Sequence, residues 1–215
     1  MKKILLLGDS IRLGYERYVG EILQDVATVY TPGDVNGGMA QFMLRWVHEW
    51  KRRGNFPDDM DVVHWNAGLW DVLRICGDET LTPPEFYADT LRRISQRLRL
   101  IFPKAKQVFA LSTWVQEDLY RGDYQRFNSD IQAFNEIAVN TLSPLGVEFD
   151  DLYTLTVNAP KACWSDMTHF NTIEGIRLVG GQVVDCLCAH IGVDRASLAD
   201  REAKLFEIPE AILGN

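Results

Sequence analysis

The strongest constraint on the fold of this chain is a repeated switch between two hydrophobic periods. Lys3–Leu7 is a short apolar run that stops at Gly8-Asp9-Ser10, which is how a strand covered on both faces meets a turn. Ala27–Tyr30, Asp61–Trp65, Gln107–Leu111 and a segment opened by Gly146–Phe149 have the same strand character. Between them, apolar residues recur three and four apart in Tyr15–Gln24, Met39–Trp50, Tyr124–Leu142 and Thr172–His190. That spacing predicts helices with one inward face. A further long helix opens at Pro83-Pro84-Glu85, where proline fits the first turn, and closes at Phe102-Pro103. Strand and helix alternate throughout, and each parallel strand pair needs a right-handed crossover. The reading is α/β: a parallel sheet of order 2-1-3-4-5 with helices on both faces.

Length and charge narrow the function. The 215 residues are enough for one domain, read as residues 1–192. Residues 193–215, with Leu198, Leu205, Phe206, Ile208 and Ile212, form an extension that packs on this domain or on a partner subunit, so a homo-oligomer stays open. The net charge of −8 repels a phosphate backbone and argues against nucleic acid as a partner. Lys51-Arg52-Arg53 and Arg92-Arg93 read as solvated helix faces. The apolar run after Lys2-Lys3 is too short for a signal core, and no run approaches the ~20 apolar residues that cross a bilayer. The expectation is therefore a cytoplasmic protein without a membrane partner. Cys76, Cys163, Cys186 and Cys188 are scattered and lack zinc-site spacing. They read as reduced thiols, and neither a metal nor a cofactor is expected.

In an open parallel sheet, ligands bind beyond the carboxyl ends of the strands. Four polar turns lie there: Gly8-Asp9-Ser10, Asn36-Gly37-Gly38, Asn66 to Asp71, and Ser165 to Asn171. A serine hydroxyl becomes a nucleophile only when a base takes its proton, and a third group must orient that base. Of four histidines, His48 and His190 fall in helical patterns and His64 inside a strand. His169 alone follows the last strand in a loop, with Asp166 three residues before it. Taken alone, an Asp-x-x-His of this kind is also what a helix cap or an ordinary loop contains.

Gly8-Asp9-Ser10, a glycine after the second strand, Gly68-x-x-Asp71 after the third, and Asp166-Met-Thr-His169-Phe-Asn171 with Gly175 occur in one order. In that order they resemble the blocks of the GDSL/SGNH hydrolases, over about residues 4 to 190. The resemblance implies a flavodoxin-like, three-layer α/β/α sandwich and ester cleavage through an acyl-serine. It makes Ser10 the nucleophile, His169 the base and then acid, and Asp166 the group that orients His169. It also implies an oxyanion hole formed by the amide of Ser10, a loop glycine and an asparagine. Gly37 matches the glycine by its spacing to Leu44, with Gly38 beside it. The asparagine position holds Trp70, so Asn66, four residues earlier, or the Trp70 indole is the third donor.

The pattern Asn66-Ala-Gly-Leu-Trp-Asp71 is similar to that of carbohydrate-active members of the family. Hydrolysis of small acyl esters, acetyl foremost, on a sugar or oligosaccharide is the function this implies. Asp9, Gly38, Trp70 and Trp114 are the candidate substrate contacts. Trp65, Tyr120 and Trp164 are further aromatics near these loops that either stack on sugar or fill the core. Two other readings stand beside this one: a lipase or lysophospholipase with the same triad, and a binding module that kept the fold without the chemistry.

Overall fold

The carboxyl ends of the central strands converge on the loops that carry these residues. In the computed structural model, residues 1–208 and Ile212 are described. The strands in chain order are β1 (Lys2–Leu7), β2 (Ala27–Tyr30), β3 (Val62–Trp65), β4 (Arg74–Ile75), β5 (Lys106–Ala110), β6 (Tyr124–Gln125) and β7 (Glu148–Asp150). Five of them form one parallel sheet in the order β2-β1-β3-β5-β7. With the small β4–β6 ribbon set aside, this is the expected order 2-1-3-4-5. Ile4 to Leu7 are at most 1% exposed, as a central strand covered on both faces requires.

The helices are α1 (Ser10–Leu23), α2 (Ala40–Gly54), α3 (Pro84–Ile101), α4 (Asn128–Leu142), α5 (Leu152–Val157), α6 (Ile173–Ile191) and α7 (Ala199–Phe206). α1 packs on α6, while α2, α3 and α4 pack in succession, giving the three-layer sandwich. A polar group sits inside it. His64 Nε2 lies 3.0 Å from Asp150 Oδ2, both side chains fully buried, and Gln182 donates to Asp150 Oδ1 at 2.9 Å. His64 is therefore an interior residue held by partners on neighbouring elements.

Two helix starts differ from expectation by several residues, and α2 runs on past Trp50 to Gly54. The first helix begins at Ser10 and not at Tyr15, because Asp9 caps it by accepting from the Ile11 N–H at 3.0 Å. The helix expected from Tyr124 starts only at Asn128. Tyr124 and Gln125 pair antiparallel with Ile75 and Arg74, and Arg74 locks the arrangement through two bonds to Asp130 at 2.8 and 3.0 Å. Tertiary contacts here override a helical pattern.

After Gly192 closes α6 in a left-handed conformation, the chain turns back onto α1. There Tyr18 donates to Glu202, the Phe206 ring lies 5.6 Å from that of Tyr18, and Arg201 bonds the Ile22 carbonyl at 3.1 Å. Of the expected extension, residues 209–211 and 213–215 lie outside the described residues. Among the described residues, no helix is long and apolar enough to cross a membrane, and no group of metal-ligating side chains forms.

Candidate active site

β1 ends at Leu7 and α1 begins at Ser10, so the serine sits where the chain reverses from the sheet into a helix. As the first helical residue its N–H has no carbonyl partner within the helix. The hydroxyl is 2.8 Å from His169 Nε2, and His169 Nδ1 is 2.8 Å from Asp166 Oδ2. Residues 10, 166 and 169 thus form one continuous hydrogen-bonded chain.

The loop that carries Asp166 and His169 is held by its own hydrogen bonds. Asp166 Oδ1 accepts from the Thr168 and His169 N–H groups at 2.7 and 2.8 Å. Ser165 closes the turn by donating its N–H to the His169 carbonyl at 2.9 Å. Partial burial pushes the Asp166 carboxyl upward, but these two amides and the His169 ring together hold it below the ordinary carboxylate range. Helix α6 is capped by Thr172, which accepts from Gly175 N–H at 3.0 Å. Asp166 is therefore free of capping duty.

The oxyanion donors need a correction. Gly37 was expected to present its amide, yet that N–H donates to the Gly8 carbonyl at 2.7 Å. A Cβ at Gly37 would lie 2.5 Å from the same oxygen. Glycine is needed there for the close approach of two loops, and its donor is already used. The neighbouring Gly38 N–H is held by the Asn36 side chain at 2.9 Å. Asn66 follows β3 directly and is 5% exposed. Its Oδ1 packs so closely on Gly8 that a Cβ there would overlap it. Trp70 stands farther out, lining an open groove of about 660 Å³ with Asn36, Gly38, Met39, Gln41 and Phe42.

Asp9 also needs a correction. It is fully buried as the cap of α1, so it makes no contact with a substrate. Burial raises its carboxyl, partly offset by Asn66 and the Ile11 amide. Trp65 is fully buried edge-on to Phe109, with ring centroids 4.7 Å apart. Trp114 packs on Tyr153 at 5.9 Å, and Trp164 on Phe170 at 4.1 Å. Neither of these two lines the groove.

Two contributors, Arg12 and Arg126, went unread in the sequence, and Tyr120 was read only as an aromatic near the loops. Arg12, fully buried, ion-pairs with Glu16 and donates to the Gly33 and Val35 carbonyls, so it ties the segment leading to Asn36–Gly38 to the helix that begins at Ser10. Its place two residues after Ser10, in the first turn of the helix, was the available signal. Tyr120 Oη lies 2.6 Å from Thr168 Oγ1, next to His169. Arg126 was hidden inside the supposed helix from Tyr124.

Asp71 anchors the start of α2. Its carboxylate accepts from the Ala40 N–H at 3.0 Å and from Thr82 Oγ1 at 2.7 Å. Burial raises its pKa from 3.8 to about 6 in spite of those bonds. Because the folded value lies above the unfolded one, Asp71 contributes stability below about pH 4 that is lost as the pH rises through 6. The difference is on the order of 3 kcal/mol. Asp71→Asn is expected to remove this pH dependence between 4 and 6, checked by urea unfolding at half-unit pH intervals.

No protein-family model matches the sequence, and no curated protein sequence matches it. Solved structures do. A lipase/acylhydrolase from Enterococcus faecalis superposes with a TM-score of 0.69 at 17% identity, over 88% of this chain and 96% of the other. The acetyl xylan esterase AlAXEase gives 0.67 at 18% identity over 86% and 99%. A GDSL-like lipase from Bacteroides thetaiotaomicron gives 0.66 at 16% identity over 86% and 87%. At such identities the likeness speaks to architecture, and the chain has the fold of the GDSL lipases and acylhydrolases.

Proposed function

We propose that the chain is a serine acylhydrolase acting on small acyl esters, acetyl foremost, of a carbohydrate. The observation that carries this reading is the unbroken relay from Ser10 Oγ through the His169 ring to Asp166, with both links at 2.8 Å. Ser10 Oγ attacks the ester carbonyl while His169 Nε2 takes its proton. Asp166 keeps the ring oriented and stabilises its charge. Collapse of the tetrahedral state breaks the bond to the alcohol oxygen, which leaves with the proton from His169. Water, deprotonated by the same nitrogen, then releases the acid and restores the hydroxyl.

Charge on the carbonyl oxygen falls to the Ser10 N–H at the positive end of α1 and to the Asn66 side chain beside it. The loop donor passes from Gly37 to Gly38, whose amide is freed when one side-chain bond to Asn36 opens. The aromatic faces of Trp70 and Phe42 on the groove suit a sugar ring, and one structural neighbour is named an acetyl xylan esterase.

The groove is also apolar along Met39, Phe42 and Trp70, which favours the lipase reading as the second choice. Acetylated sugars and nitrophenyl esters of two to twelve carbons separate the two. Turnover confined to acetyl and propionyl esters is expected, and a maximum at eight carbons or more would shift the reading to a lipase. Labelling of Ser10 by an organophosphonate is expected in the folded protein, and its absence would favour a binding module.

A further inference from the structure

Arg126 lies beside this site, bonded to the Leu69 carbonyl and to Tyr120, with no carboxylate partner among the described residues. The β6 strand ends one residue before it, and the β4–β6 pairing fixes where it emerges. Nε donates to the Leu69 carbonyl at 2.5 Å, next to Trp70, and Nη1 donates to Tyr120 Oη at 3.1 Å. The guanidinium lies 5.9 Å from the ring centroids of both Trp70 and Tyr120. It thus spans from the loop that lines the groove to the loop that carries His169, since Tyr120 Oη also meets Thr168.

Its protein partners are all neutral. Among the described residues no carboxylate lies within 4.0 Å of it; of the other half-buried arginines, Arg74, Arg195 and Arg201 each have one, and Arg97 is bonded to the Leu44 carbonyl. Nη2 makes no hydrogen bond to the described residues and is not enclosed. Its charge reaches Asp9, the residue before the nucleophile. A planar cation held on aromatic faces, with its outer edge free, is shaped to accept two oxygens of an anion. In a chain of net charge −8 it is a local positive point that an anionic ligand would seek.

We infer that Arg126 selects substrates bearing an anionic group, a carboxylate or a phosphate, near the ester that Ser10 cleaves. This rests on the acylhydrolase reading and adds to it the class of ester. The test compares acetate release from 3- and 4-acetoxybenzoate and from 3- and 4-acetoxyphenyl phosphate with that from the neutral acetoxybenzyl alcohols. Wild-type protein is expected to favour at least one anionic isomer tenfold or more in kcat/KM, carried by KM. The preference should shrink as salt rises. The better of the benzoate and phosphate arms identifies the anion.

In Arg126→Gln the anionic-to-neutral ratio should fall to near one, and Arg126→Lys should keep part of it. A wild-type ratio near one, needing no variant, overturns the proposal, as does a ratio that survives in Arg126→Gln. If no ester is turned over, the acylhydrolase reading fails separately. Calorimetric titration of the Ser10→Ala protein with benzoate, phenyl phosphate and benzyl alcohol then decides. Anion-selective binding that Arg126→Gln abolishes supports the role of Arg126, and equal binding of all three ligands overturns it.

Discussion

Replacing Ser10 by alanine is expected to lower kcat for acetyl-ester hydrolysis by on the order of 10⁴-fold or more. The same loss is expected for His169→Ala. With no hydroxyl, the imidazole has nothing to activate; with no imidazole, the hydroxyl keeps its proton at neutral pH. The two groups act as one unit across a 2.8 Å bond, so the double variant should be no slower than either single one. Asp166→Asn should also cost about 10⁴-fold, by presenting the wrong hydrogen-bonding partner to His169 Nδ1. All three side chains lie at the protein's rim, and His169 and Asp166 are partly exposed. Unfolding midpoints should therefore stay within a few degrees of wild type. Retention of a few per cent of kcat in Ser10→Ala, or losses that multiply in the double variant, would remove the nucleophile from this account.

Arg12→Met is the second large effect, and it acts on stability. Burial pushes the Glu16 carboxyl upward while Arg12 draws it back. Removing the guanidinium leaves that carboxylate with Thr31 in place of a cation, and leaves the Gly33 and Val35 carbonyls without their donor. Breaking such a buried pair costs about 3–5 kcal/mol, or roughly 10 °C in Tm for a chain of this size. Glu16 would then have a folded pKa still further above its unfolded one. The sign follows: the deficit should narrow as the pH falls toward 4 and Glu16 becomes neutral. The double variant Arg12→Met/Glu16→Met should recover much of the loss, since an apolar pair needs no partner. Thermal unfolding at pH 5 and pH 8 checks all three statements, and an Arg12→Met protein as stable as wild type would show that the ion pair is dispensable.

The central sheet was legible because its strands are buried on both faces, and continuous apolar runs such as Ile4–Leu7 have few other uses. Ser10, Asp166 and His169 were legible because each sits in a polar turn just beyond a strand or at the last loop, where side chains are not committed to packing. The oxyanion loop was not. Nothing in Asn36-Gly37-Gly38 says which of two adjacent amides is consumed by Gly8, since that depends on how two loops meet in space. Asp9 resembles a surface residue in composition, and it takes its bonds to Asn66 and the Ile11 amide to explain why a carboxyl group lies fully buried. Arg126 escaped because period alone cannot distinguish the first turn of a helix from a strand that happens to precede it. The β4–β6 ribbon that places it depends on a partner some fifty residues away.

The turn from Ser165 to Asn171 has one more consequence. Asp166 and His169 are braced within the turn, with Gln116 and Tyr120 adding bonds from a preceding loop, whereas Ser10 lies 159 residues before His169 in the sequence. On the proposed reading, the serine is translated before its base and stays unpaired until the turn that carries His169 has been made and has met it. The proposed competence to cut esters therefore arrives only with the docking of that turn.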